Sequence, residues 1–64
     1  MAKVLLDGAV LADSVSPVLL NDYLLEQMAR PGWRLLCAGY EPDGTRRIEM
    51  RDAAGALRVF EVAA

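Results

Sequence analysis

The spacing of apolar residues predicts one helix near the middle of the chain. Leu20, Leu24 and Met28 recur every four residues and form a stripe on a helix, which is widened by Val18, Leu25 and Ala29. Asp22, Glu26 and Arg30 fall on the opposite side. An amphipathic pattern of this kind is typical of a helix that packs one face on a sheet.

Both ends of this helix carry boundary signals. Ser16 can cap the first free amides with its hydroxyl, and Pro17 suits the first helical position, where no donor is needed. Pro31 disfavours helical geometry at the residue before it, and Gly32 permits a reversal of the chain. We therefore expect a helix over residues 17–30.

After the helix the apolar residues alternate with a period of two, which is typical of strands. Residues 33–40, 45–51 and 56–62 read as three strands. The two connections are four-residue turns that end in glycine, Glu41-Pro42-Asp43-Gly44 and Asp52-Ala53-Ala54-Gly55. Short connections of this kind predict an antiparallel three-stranded meander.

The N-terminus predicts a hairpin. Asp7-Gly8 lies between two apolar runs, and such a pair suits the positive φ angles of a tight hairpin turn. We expect strands at residues 2–6 and 9–12; the alternative is one strand that ends at Asp7, followed by a loop. The predicted fold is a single α+β domain over residues 1–64, ββαβββ in order, with the helix packed on one sheet face.

The last strand is apolar on both faces, and one helix can cover only one of them. Leu57 and Val59 point to one face and Phe60 and Val62 to the other. We expect an uncovered apolar patch rimmed by arginines, a pattern that marks contact with another macromolecule; it comprises Leu36, Tyr40, Phe60 and Val62. The alternative is a local bulge that turns some of these residues inward.

Two apolar residues fall on the polar side of the helix. Leu19 and Tyr23 are four apart and therefore stack on one face. They are interpreted either as ordinary surface side chains or as one edge of a subunit interface.

Composition favours self-association. A domain of 64 residues lies near the lower limit of stability, and 55% of its residues are hydrophobic. Cys37 is the single cysteine and there is no histidine, so neither an internal disulfide nor a thiolate-rich zinc site is expected. We therefore predict a homo-oligomer, either a homodimer or a larger assembly. A cytoplasmic protein with no membrane span is expected, in which Cys37 is a reduced, half-buried core thiol.

The residue types do not suggest catalysis. A Ser-His-Asp or Cys-His arrangement needs a histidine, and the chain has none. Gly32, Gly39, Gly44 and Gly55 are spread between elements and form no phosphate-binding loop. We expect no enzyme activity, no cofactor, no metal and no catalytic residue.

The arginines suggest a second function. The net charge of −2 opposes bulk attraction to nucleic acid, but arginines concentrate in the predicted meander. With Tyr40 and Phe60 they could form a platform for single-stranded nucleic acid, through Arg34, Arg47, Arg51 and Arg58. Glu41, Glu49 and Asp52 interrupt this patch.

The run LLEQMARPGWRLL, residues 24–36, resembles the signature of a family of small bacterial proteins of unassigned activity. That signature reads roughly L-L-N-E-L-x-x-E-G-W-E-L-V and runs from a helix through Gly-Trp into a strand. The similarity rests on Leu24, Leu25, Gly32, Trp33 and Leu35, and the chain departs from the signature at Glu26 and Pro31. The resemblance implies a small α+β domain and supplies no functional residues.

From the sequence we expect a non-catalytic protein-interaction module that self-associates and can bind another protein. One alternative is a small nucleic-acid-binding protein, which would use the arginines of the meander. Another is a small inhibitor of a host protein, of the kind encoded by phages or mobile elements, because such proteins are also short, acidic and free of active-site residues.

Overall fold

The computed structural model describes residues 1–63, which form one helix and five strands. In chain order these are β1 Ala2–Leu6, β2 Ala9–Val15, α1 Pro17–Met28, β3 Arg34–Tyr40, β4 Arg46–Arg51 and β5 Leu57–Ala63. The strands form one sheet in the order β2-β1-β5-β4-β3, and every neighbouring pair is antiparallel. The predicted α+β class and ββαβββ order are confirmed.

The N-terminal hairpin forms at the Asp7-Gly8 pair. Asp7 has φ 52° and Gly8 has φ 83°, the positive values that a two-residue hairpin turn requires. β2 extends to Val15, three residues beyond the predicted end, and the pairing of β1 with β2 shifts register on both sides of Val4. The added length brings the chain to the start of α1.

The two later turns follow the predicted chemistry. In each one the terminal glycine donates its amide to the carbonyl of the first residue, Gly44 to Glu41 and Gly55 to Asp52, both at 2.9 Å. Gly44 and Gly55 have φ 89° and 85°. The Asp52 Oδ1 atom also accepts the amides of Ala54 and Ala56, which stiffens the second turn.

Helix α1 begins at Pro17 as predicted, but its ends differ in detail. Ser16 is the N-cap residue, yet its side chain makes no capping hydrogen bond; its carbonyl accepts the Leu19 amide at 2.9 Å instead. The helix ends at Met28, two residues before the predicted Arg30. Arg30 opens a turn in which the Trp33 amide donates to the Arg30 carbonyl and Gly32 has φ 82°.

The predicted meander is part of a larger sheet. β3, β4 and β5 are consecutive neighbours, and β1 then pairs with β5, so the N-terminal hairpin continues the same sheet. β1 lies inside the sheet because it is apolar on both faces: Val4 is fully buried on one side and Leu5 half-buried on the other. β2 and β3 form the two edges.

One face of the sheet packs against α1. The buried residues are Ala2, Val4, Leu6, Val15, Leu24, Ile48, Met50, Phe60 and Val62. Ile48 pairs directly with Phe60, and Val4 with Val62, so these side chains share the face beneath the helix. This register corrects the sequence prediction, since Phe60 and Val62 lie in the core and not on the uncovered face. Leu57 and Val59 occupy the uncovered face instead.

Stability should depend strongly on Phe60, which is 0% exposed. We expect Phe60→Ala to lower the free energy of unfolding by about 3–5 kcal/mol, because it removes a large ring and leaves a cavity. Leu57→Ala is the matched control on the same strand, since Leu57 is 49% exposed, and should cost less than about 1 kcal/mol. Urea titrations measure both values, and equal losses would contradict this assignment of faces.

Candidate interaction surface and the arginines of the sheet

Leu19 and Tyr23 do not share an exposed helix face. Leu19 is 59% exposed, but Tyr23 is half-buried and packs against the core together with Leu20 and Met28. The buried stripe of α1 is therefore rotated toward Tyr23, and the prediction that Tyr23 lies on the outer face is wrong. Tyr23 contributes to folding.

The rotation leaves the opposite flank of α1 uncovered. Val18 is 86% exposed and Leu25 is 56% exposed, although both were predicted to widen the buried stripe. They lie within about 20° of each other around the helix axis at 100° per residue. α1 connects edge strands β2 and β3, which run parallel to each other in the sheet. From the right-handed path that is the rule for such connections, we infer that this flank faces β3.

Edge strand β3 is exposed along its whole length. Leu35 pairs with buried Met50 and Ala38 with buried Ile48, so both lie on the helix side of the sheet. Tyr40, opposite Arg46, lies on the same side and is 76% exposed. We define the α1–β3 ledge as this apolar surface, which comprises Val18, Leu25, Leu35, Ala38 and Tyr40.

A cleft of about 310 Å³ lies at one end of the ledge. Its walls come from the start of α1 and the adjoining ends of β1, β3, β4 and β5, namely Met1, Ala2, Pro17, Leu20, Tyr40, Gly44, Arg46 and Val62. The ledge therefore continues into a concavity that is largely apolar.

Leu36 and Tyr40, predicted to share a face, lie on opposite sides. A register shift between Leu35 and Cys37 marks a bulge in β3, and Leu36 lines a cleft with Arg34 on the uncovered face. Leu36 is 50% exposed. Cys37 is also exposed, which corrects the expectation of a half-buried core thiol.

Arg58 lies on the helix side of the sheet, apart from the other three predicted arginines. It pairs with buried Met50, and its guanidinium carbon lies 4.9 Å from the centre of the Trp33 ring. The Arg58 Nε atom donates to Asp7 Oδ2, and Nη1 donates to Asp52 Oδ2 at 3.4 Å. This arginine is thus held by two carboxylates and cannot contribute to a basic platform on the uncovered face.

The carboxyl groups around Arg58 are held in their charged form. The Val59 amide donates to Asp7 Oδ1, and this bond, followed by the one from Arg58, lowers the pKa of Asp7 below its ordinary value of 3.8. The pKa of Asp52 is also lowered, and the main cause is the hydrogen bond that its carboxylate accepts from the Ala56 amide. In turn the Asp7 carboxylate raises the pKa of Arg58.

Arg34, Arg47 and Arg51 lie on the uncovered face, as predicted. Arg47 pairs with Glu49 at 3.3 Å and with Glu41 at 3.6 Å, so its charge is balanced locally. Arg34 and Arg51 lie directly opposite each other on β3 and β4. The structure therefore divides the four predicted arginines into two that bind carboxylates and two that lie side by side.

The apolar residues of the uncovered face lie among charged ones, although Leu5 lies directly opposite Val10, which is 54% exposed. Leu5 and Val59 are half-buried there, and Leu5 lies opposite Glu61 while Val59 lies opposite Glu49. Long charged side chains can cover such apolar neighbours with their stems. The patch that the sequence led us to expect does not form, because Tyr40, Phe60 and Val62 lie on the helix side, and the apolar neighbours on this face are Val10, Leu5 and Val59.

Two features of the site were missed in the sequence for different reasons. The ledge was missed because the exposure of Val18 and Leu25 depends on how α1 is rotated against the sheet, which the sequence pattern does not determine. The bond between Asp7 and Arg58 joins residues 51 apart and has no local signal.

The lowered pKa of Asp7 predicts a pH-dependent stability. A carboxyl whose pKa is lower in the folded than in the unfolded chain stabilises the fold above the unfolded value, and this stabilisation is lost as pH falls through the folded value. We expect Asp7→Asn to lose about 1 kcal/mol at neutral pH, since the side chain is 41% exposed and solvent screens its ion pair. Asn-Gly retains the turn, so the variant removes the charge and one of the two acceptor oxygens without changing the backbone preference.

Urea titrations between neutral and strongly acidic pH measure this effect. Wild type should lose stability below about pH 4, and Asp7→Asn should show a flatter profile. Asp13→Asn is the control, because Asp13 is 81% exposed and meets only Lys3 at 3.8 Å. Parallel profiles for wild type and Asp7→Asn would rule out this role for Asp7.

Comparison of the chain with family models, with curated proteins and with solved structures found no match. Within residues 1–63 no group of three or more His, Cys, Asp or Glu side chains is placed to hold a metal ion. No helix in the same range is long and apolar enough to cross a membrane. The functional conclusion therefore rests on the geometry of the ledge and of the arginines.

Proposed function

We propose that this chain is a non-catalytic protein-interaction module that self-associates through the α1–β3 ledge. The observation that carries the proposal is the exposure of apolar side chains on edge strand β3, on the side of the sheet that α1 packs against. Leu35 is 55% exposed and Tyr40 76%, and on α1 Val18 is 86% and Leu25 56% exposed. Contiguous exposed apolar surface on a small protein marks a contact site more often than scattered exposed leucines do.

The proposed occupant of the ledge is a second copy of the chain. A domain of this size has little apolar area to stabilise it, and its lone cysteine precludes an internal disulfide. In a two-fold dimer both copies contribute the same surface, so the ledge of one copy would pack against the ledge of the other. The apolar side chains of both ledges would then be buried. Burial of that surface would supply the stability that the single core lacks.

Charges at the rim of the ledge support this arrangement. Asp22 follows the exposed flank of α1, and Arg46 lies beside Tyr40 on the sheet. Within residues 1–63 neither side chain takes part in an ion pair. If α1 of one copy covers β3 of the other, the acidic rim of the helix approaches the basic rim of the sheet, which favours a defined orientation.

Nucleic-acid binding through the meander has less support. Such a platform needs a continuous basic track, but Arg47 and Arg58 are bound to carboxylates. Tyr40 and Phe60 do not provide a stacking surface beside the remaining arginines, because Phe60 is buried and Tyr40 lies on the other side of the sheet.

Self-association can be tested with two leucines of similar exposure on opposite faces. Leu35→Asp places a charge within the ledge, whereas Leu57→Asp places the same charge on the uncovered face, where Leu57 is 49% exposed. We expect wild type and Leu57→Asp to dimerise and Leu35→Asp to dimerise at least tenfold more weakly, roughly the effect of a charge at an interface centre. Sedimentation equilibrium over micromolar to millimolar concentrations measures these constants.

Circular dichroism should confirm that both variants remain folded. A wild-type protein that stays monomeric over the whole range would refute self-association. Loss of dimer in Leu57→Asp, with Leu35→Asp unaffected, would place the interface on the other face and refute the role of the ledge.

A further inference from the structure

Arg34 and Arg51 form the only directly opposed pair of like charges in the described strand pairs. They are cross-strand partners at one end of the sheet, where β3 begins and β4 ends. Side chains in this position have Cβ atoms about 5 Å apart, and two like charges there repel each other. This repulsion lowers the stability of the fold unless another group balances the two charges.

Neighbouring side chains do not compensate for the two charges. The Arg34 side chain makes no hydrogen bond or ion pair with any residue in 1–63. Arg51 donates Nη1 to the carbonyl of Gly55 at 3.0 Å, which is a neutral acceptor. The nearby Asp52 carboxylate already accepts two backbone amides and Arg58. Neither guanidinium group of the pair therefore has a direct carboxylate partner within residues 1–63.

The two arginines line a common cleft of about 370 Å³ on the uncovered face. The other lining residues are Gly32, Leu36, Asp52, Ala53 and Gly55. Two tight turns meet here, and a Cβ atom at Gly32 would lie 2.8 Å from the Cβ of Ala53. The turns are therefore in close contact, and they provide a fixed wall beside the guanidinium groups.

We propose that Arg34 and Arg51 bind a single phosphate group in this cleft, as inorganic phosphate or as a small phosphate monoester. A phosphate dianion would balance both charges and relieve their repulsion. Its oxygens suit the planar fork of a guanidinium, which donates two parallel hydrogen bonds. Leu36 offers an apolar contact to the organic part of a monoester, and the cleft volume lies within the range of small-ligand sites.

The surroundings favour one phosphate over a nucleic-acid chain. Along β4 the next residue on this face is Glu49, followed by Arg47, which is bound to Glu49 and Glu41. Glu61 of β5 lies opposite Arg47 on the same face. A chain of phosphates that left the cleft in this direction would meet carboxylates, so the positive charge is confined to one site.

Chemical-shift titration of the arginine side-chain Nε–H groups tests the site directly. Wild type is titrated at constant ionic strength with inorganic phosphate, with phenyl phosphate, and with a single-stranded oligonucleotide, and sodium chloride alone gives the baseline. We expect saturable shifts at Arg34 and Arg51 with the first two probes. Tighter binding of phenyl phosphate would identify a monoester as the preferred source of the phosphate group, and equal or tighter binding of inorganic phosphate would identify the free ion.

Two variants and one control keep the test specific. Arg34→Gln and Arg51→Gln should each weaken phosphate binding at least tenfold, whereas Arg47→Gln, on the same face but bound to glutamates, should bind as wild type does. At low ionic strength without phosphate, Arg34→Gln should also raise the midpoint of thermal unfolding, because it removes the like-charge repulsion.

Three results would overturn the proposal: shifts that do not saturate at constant ionic strength, equal binding by the Arg34→Gln variant, or an oligonucleotide that binds more tightly than both small probes with a steep salt dependence. The last result would identify a nucleic-acid site. The proposal is independent of self-association, since the cleft and the ledge lie on opposite sides of the sheet, and neither test decides the other.

Discussion

The guanidinium of Arg58 contacts three connections of the fold at once. It lies against the Trp33 ring, and it donates to Asp7 in the hairpin turn and to Asp52 in the turn before β5. The hairpin turn, the last turn and the connection from α1 to β3 thus meet at one end of the sheet. The side chain is only 30% exposed, so its contacts are partly shielded from solvent. A domain with a small core needs such a fixed point, because its single helix covers little area.

The position of Trp33 explains why one edge of the sheet stays uncovered. Its ring centre lies 6.0 Å from that of Phe60, in the middle of the sheet, and residues 29–32 connect it to the end of α1 at Met28. With Tyr23 packed against the core on one flank, the other flank of the helix and strand β3 remain exposed. An exposed edge strand can pair with a strand of another molecule. The bulge in β3 makes such pairing less favourable, because an irregular strand is a poor template. Extension of the sheet through β3 is therefore disfavoured.

Local chemistry was sufficient to predict the elements, and long-range register was not. Asp7-Gly8, the two glycine-ended turns and Pro17 located the hairpin, the meander and the helix start, because each depends on residues adjacent in sequence. The faces of β5 could not be assigned from the pattern, since Phe60 and Val59 are both apolar and only pairing with β4 decides between them. The rotation of α1 was missed for a similar reason, because Tyr23 and Leu25 are both apolar and the pattern does not decide which of them packs against the core. The like-charge pair Arg34–Arg51 likewise appears only once the register is known.

The central claim is that the ledge is the contact surface between two copies of this chain. Isotope-filtered NOE spectroscopy on a mixture of labelled and unlabelled protein tests it most directly, because only contacts between copies give signals. The account predicts intermolecular NOEs from the methyl groups of Leu25 and Leu35 and from the Tyr40 ring. Intermolecular NOEs that arise from Leu57 and Val59 instead, or none at concentrations where a dimer is present, would contradict it.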